Sequence, residues 1–289
     1  MRVAQALIAA TLLASCGTGD PVASGAGSTA TSADDLYRGG GTVIEERTDG
    51  PRLCFEVLDS YPPQCGGGLD LAGWEWPDAD TYEAASGTRW GDFAVVGRWD
   101  GHTLTVVDIG PPTEDKGSWP DDDPDRFKAP CPEPAGGWVV PADAPKLGLK
   151  DHEAMSSYIS AQPEYSASWA DTSTDPKFDP ERLGEYVHDF AAVVTVARFS
   201  ADAERHEAAL RELWGGPLCV IEGGVPQTEL QRIMDEVSAS IDTTWGNLDL
   251  VGGRVELGVN VLDPGVQEAL DDRYGKGVVV LYPHLERVE

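Results

Sequence analysis

Basic residues are scarce in this chain. Its 289 residues carry 21 Lys and Arg against 50 Asp and Glu, a formal net charge of −29. A surface this acidic repels phosphate backbones, which excludes nucleic acid as a partner. It also excludes docking of the folded part onto an anionic lipid surface. Long apolar runs are missing too: no stretch reaches the roughly 18 residues that a spanning helix needs. Metal signatures fail. There is no Cys-x₂-Cys, and His152-Glu153 begins an H-E-x-x-H pattern that ends on Ser156. The run Asp121, Asp122, Asp123, Asp125 puts Arg126 and Pro132 where a calcium loop needs Gly and Glu, so it reads as solvated. G-x-S-x-G is absent from the folded part, and no G-x-G-x-x-G or G-x-x-x-x-G-K-[ST] occurs. His188-Asp189 nominates no serine, and neighbours on a strand point to opposite faces. No catalytic residue, metal or cofactor is therefore expected. The triplets Gly39-Gly40-Gly41 and Gly66-Gly67-Gly68, and the pair Gly223-Gly224, read as turns.

What is present begins at the N-terminus. Arg2 precedes a short, largely apolar run, Val3 to Leu12, and then Leu13-Ala14-Ser15-Cys16. This is a charged region, an apolar region and a small-residue cleavage site. With Cys at the cut, it resembles the lipobox of bacterial lipoproteins. The resemblance implies removal of residues 1–15, diacylation of Cys16, and a protein held on the outer face of the cytoplasmic membrane. Without residues 1–15, 20 basic residues face 50 acidic ones, a net charge of −30. Attachment to the lipid bilayer then rests on acyl chains, at about 0.8 kcal/mol per buried CH₂.

Export permits disulfides, and Cys54, Cys65, Cys131 and Cys219 allow three pairings. Cys54–Cys65 with Cys131–Cys219 is favoured. The first pair brackets the turn-forming Ser60-Tyr61-Pro62-Pro63, and the second staples a Pro-rich loop to a core strand.

The expected fold class is α+β. Residues 16–41, rich in Gly, Ser, Thr and Ala, read as a flexible tether spanning roughly 25–30 Å. Residues 42–110 read as a small β domain, a barrel or sandwich. Within it, Phe93–Trp99 and His102–Ile109 flank Asp100-Gly101, a type I′ hairpin signal. Residues 111–150, punctuated by prolines, read as a linker pinned at Cys131. Residues 151–289 read as an α+β domain with a mixed sheet. Helices are expected after Asp151, Ser200, Pro226 and Asp263-Pro264, and 164–183 is expected to be irregular. A strand is expected over Val187–Phe199. From Leu218 the order β-α-β-β-α-β is that of the ferredoxin-like α/β plait.

Nine tryptophans raise the question of a sugar platform. Trp74-x-Trp76 places two indoles on one side of an extended strand, with Trp90 and Trp99 on the nearby hairpin. The competing reading is that these rings fill the β-domain core. Residues 187–282 also resemble the pro-regions of secreted α-lytic-type proteases, without an invariant motif and with no protease domain following. The expectation for function is a noncatalytic binding or envelope-maintenance lipoprotein, meeting an envelope protein or a cell-wall glycan. The alternatives are an envelope hydrolase with a dispersed site, and a protease inhibitor or chaperone.

Overall fold

The computed structural model describes residues 35–78, 80–112, 125–179 and 189–288. The signal segment, Cys16, most of the tether, Asp121 to Asp123 and His188 lie outside the described residues.

Six strands form the first half: β1 (Tyr37–Glu45), β2 (Pro51–Leu58), β3 (Gln64–Ala72), β4 (Glu83–Ala85), β5 (Thr88–Trp99) and β6 (Thr103–Gly110). The order β1-β2-β3-β6-β5 closes because β5 also pairs with β1, which makes a five-stranded barrel. Only β3 and β6 are parallel neighbours. Alternation along β5 sends Phe93 and Val95 inward, where they meet Val43, Leu53, Leu69 and Leu104.

The glycine triplets lie in strands, not turns. Gly39–Gly41 sit in the middle of β1, so the chain becomes ordered before the expected start of the β domain. The sequence signal was misleading because an absence of apolar anchors looks like a tether. Here it permits close approach: a Cβ on Gly41 would stand 2.8 Å from the Cys54 carbonyl oxygen, and one on Gly68 2.3 Å from that of Leu53. The turn at Asp100-Gly101 is longer than a two-residue hairpin, since Trp99 pairs with Leu104. Asp100 Oδ1 closes it by accepting the His102 and Thr103 amides at 2.9 and 2.8 Å.

The second half contains α1 (Leu149–Ser160), β7 (Tyr165–Asp171), β8 (Val194–Phe199), α2 (Ala203–Leu213) and β9 (Leu218–Glu222). It continues with α3 (Gln227–Ser238), β10 (Thr243–Asp249), β11 (Arg254–Val261), α4 (Val266–Tyr274) and β12 (Val279–Arg287). The order α-β-β-α-β therefore occurs twice. The copies agree in detail: α1 and α3 have 12 residues each, and β7 and β10 have seven. Pairs Tyr165↔Phe199, Trp169↔Val196 and Asp171↔Val194 in the first unit answer to Thr243↔Val259, Asn247↔Glu256 and Asp249↔Arg254 in the second. Both ladders slip at the same place, between Tyr165 and Ala167 and between Thr243 and Trp245. The parallel pairs match as well: Val196↔Cys219 with Glu256↔Val280, and Arg198↔Ile221 with Gly258↔Tyr282.

This duplication corrects the ferredoxin-like expectation. β9 pairs with β8 in a separate three-stranded sheet, β7-β8-β9, and does not join β10-β11-β12. The first unit also begins earlier than expected, because β7 occupies a stretch read as irregular and β8 is shorter than the Val187–Phe199 run. The pro-region-like segment 187–282 thus takes in parts of both units. Val255, Leu257 and Val259 face Leu230, Ile233 and Val237 of α3 and Leu270 of α4 in the second core. Met155, Ile159, Phe199, Leu210 and Trp214 form the first. The second sheet is continuous with the barrel, since Tyr37 and Arg38 pair with Arg287 and Glu286 of β12.

Candidate functional site

The structure joins Cys54 to Cys65 and Cys131 to Cys219, with Cα–Cα distances of 5.5 and 5.7 Å. The second bond fixes a short stretch of the Pro-rich segment against both repeats. Within that stretch the Ala129 amide donates to Asp171 Oδ2 at 2.8 Å. The Arg126 guanidinium pairs with Asp249. Asp171 and Asp249 are equivalent positions of the two units, and both are buried. Each also holds its own turn: Asp171 Oδ1 accepts the Ser173 amide at 3.0 Å, and Asp249 Oδ1 the Gly252 amide at 2.9 Å.

The units diverge on the sheet face away from their helices. In the first unit that face is apolar and covered. Val194, Val196 and Cys219 pack with Trp169 and Ile221 beneath Ala129, Cys131 and Trp138. In the second unit the corresponding residues are Arg254, Glu256, Val280, Asn247 and Tyr282. Glu256 is 7% exposed and Asp249 6%. Arg254 Nε lies 3.2 Å from Asp249 Oδ2 and 3.0 Å from Glu256 Oε1. Asn247 Nδ2 donates to Glu256 Oε2 at 2.9 Å, and the Tyr282 hydroxyl reaches Glu256 Oε1 at 3.4 Å. Trp245 stacks on Tyr282 at 5.6 Å across Gly258.

A cavity of about 450 Å³ opens beside this network. It is lined by the polar Arg126, Asn247, Asp249 and Glu256 together with Phe127, Leu248, Leu250 and Val251. The Arg126 guanidinium and two carboxylates line it, and Arg254 pairs with both carboxylates from outside the lining. Asp249 Oδ2 accepts no hydrogen bond among the described residues, although it stands in the ion pair with Arg254. The volume falls within the roughly 300–1,000 Å³ of small-molecule sites.

The chain matches no family model and no curated sequence. What the site does must be argued from its own residues.

The four tryptophans named from the sequence are split. Trp74, Trp76 and Trp99 pack against the barrel core, with Trp74 and Trp76 at 5.1 and 6.0 Å from the Phe93 ring. Trp74 and Trp76 lie in an irregular segment, not a strand, and meet edge to face at 5.4 Å. Trp76 Nε1 donates to Glu45 Oε2 at 2.6 Å, and Arg89 stands over its ring. Trp90 is half-buried and meets the exposed ring of Tyr61 at 5.8 Å. The four do not form one platform.

The other titratable candidates have local partners. His152 stacks on Phe190 at 4.8 Å. Asp189 accepts Lys177 at 2.7 Å, and this bond holds its carboxyl below the usual carboxylate range. His206 is fully buried, stacked on Phe199 at 3.8 Å, and burial pushes its pKa down. Arg205 can only donate, so its contact at 3.2 Å makes Nε2 the acceptor and leaves the proton on Nδ1, facing the Tyr158 oxygen at 3.1 Å. Among the described residues no three His, Cys, Asp or Glu converge as a metal site.

Sequence reasoning singled out none of Arg126, Asn247, Asp249, Arg254 or Glu256 as a site residue. The signal was Glu256 itself, a charge between Val255 and Leu257 in an apolar-rich strand. Strict alternation assigns such a residue to solvent. Only the tertiary fold shows that this face is also covered.

Proposed function

We propose that the protein is a membrane-anchored extracytoplasmic lipoprotein that binds a small ligand without transforming it. The lipobox-like Leu13-Ala14-Ser15-Cys16 supports the anchor, and two formed disulfides support an oxidising compartment. Among the described residues no helix is long and apolar enough to cross a membrane. The observation that carries the binding reading is the inequality of the repeats. At equivalent positions the first unit has Val196 and Trp169, and the second has Glu256 and Asn247. The first unit is therefore built without polar groups there, and burying the Glu256 carboxylate costs stability unless it is hydrogen-bonded. Glu256 and Asn247 line a cavity in the second unit, while the linker fills the same face of the first.

Binding is favoured over hydrolysis by the chemistry of the walls. Guanidinium and amide donors occupy the carboxylates, and no Ser, Thr, Cys, His or Lys is among the lining residues. Two measurements test the reading. Cys16→Ser should move the protein from the membrane to the aqueous fraction, and intact mass should lose the acyl increment; an unacylated wild-type chain refutes the anchor. Backbone amide shifts of Asn247 and Leu250 on addition of envelope extract should report the cavity, and unchanged shifts refute binding there.

A further inference from the structure

We infer that the cavity of the second unit takes the ring of an uncharged carbohydrate, an inference that rests on the binding reading above. The lining mixes polar and apolar groups: donors from Arg126 and Asn247, acceptors from Asp249 and Glu256, and the Phe127 ring, 51% exposed. A pyranose has the matching character, with hydroxyls around its rim and C–H groups on its faces. Aromatic and aliphatic surface receives the C–H face, and the carboxylates take hydroxyl protons.

Charge selects against the other small ligands. An anion would have to displace Asp249 or Glu256 from their guanidinium partners, against a chain of net charge −29. A cation would meet Arg126 and Arg254 at the same two carboxylates. A neutral hydroxyl costs neither pair. Asp249 and Glu256 both line the cavity, and their carboxylates are the acceptors a hydroxyl would meet there. The repeat supplies the internal control, since the first unit keeps the aspartate as Asp171 but replaces the glutamate with Val196. Asp249 therefore has a structural duty that its counterpart shares, whereas Glu256 and its partners Arg254 and Asn247 belong to the second unit alone.

The ring can belong to a free sugar or to the end of a wall glycan, and two arms separate these sources. Calorimetry of the full chain carrying Cys16→Ser uses maltose and N,N′-diacetylchitobiose; co-sedimentation uses insoluble peptidoglycan. Binding in either arm is expected to weaken at least about tenfold in Phe127→Ala and in Glu256→Val. Phe127 is at the surface, so its variant keeps the test valid should Glu256→Val fold poorly. No binding in both arms, or binding unchanged in Phe127→Ala, overturns the carbohydrate assignment. A third titration uses spermidine. If it shifts the Asn247 amide where the sugars do not, the ligand class is wrong while the binding site stands.

Discussion

Two buried carboxylates share one cavity, and the repeat gives them opposite roles in stability. Replacing Asp249 by Ala removes a buried carboxylate that pairs with both Arg126 and Arg254 and accepts the Gly252 amide. The two arginine side chains are only 22% and 19% exposed, so neither regains full hydration. Breaking a buried pair from one side costs about 3–5 kcal/mol. With a urea dependence of about 3 kcal/mol per molar, the unfolding midpoint should fall by about 1–1.7 M. Glu256→Val differs. Asn247 is exposed and exchanges its lost bond for water, Arg254 keeps Asp249, and valine is what the first unit carries. Its cost should stay within about 1 kcal/mol, a shift under about 0.4 M. Urea titration followed by tryptophan fluorescence measures both. A Glu256→Val loss equal to that of Asp249→Ala, or an Asp249→Ala midpoint near wild type, refutes the argument from the repeat.

Two further outcomes follow from named contacts. Cys131–Cys219 spans a sequence separation of 88 and Cys54–Cys65 one of 11. In the chain-entropy model these stabilise by about 4.6 and about 2.8 kcal/mol, so the paired Cys→Ser variant of the longer bond should be the less stable in denaturant titration; the reverse order refutes a purely entropic account. His284 lies parallel to Phe55 at 3.5 Å, and burial lowers its pKa from 6.5 to about 4. The unfolded chain thus binds the proton more tightly than the folded one. Stability from this group is complete above pH 6.5 and is lost as pH falls toward 4, by up to about 3 kcal/mol. His284→Gln should flatten that slope in unfolding measured from pH 7 to 4.5, and an unchanged slope assigns the effect elsewhere.

The legible part of this fold was the part written in short range. Apolar spacing of 3.6 marked α3 through Leu230, Ile233 and Val237, and alternation marked β11 through Val255, Leu257 and Val259. β7 escaped notice because Tyr165–Asp171 combines small and polar residues, and only pairing with β8 buries Ser166 and Ala167. Glycine was misread in both triplets. A run with no side chains carries no periodicity, and its use for close backbone approach becomes visible only when the neighbouring strand is present.

The sequence by itself determined the acidic surface, the lipobox-like start, the helices and most strands, because each depends on residues within a few turns of one another. Tertiary structure alone decided which edges those strands took. β5 closes the barrel on β1, β9 goes to β8, and β12 carries the second sheet into the barrel. A strand edge offers the same amide and carbonyl groups to any partner, so local pattern cannot rank the partners. The candidate site belongs to the same class of decision. Arg126 and Asp249 are 123 residues apart, and only the folded chain brings guanidinium to carboxylate.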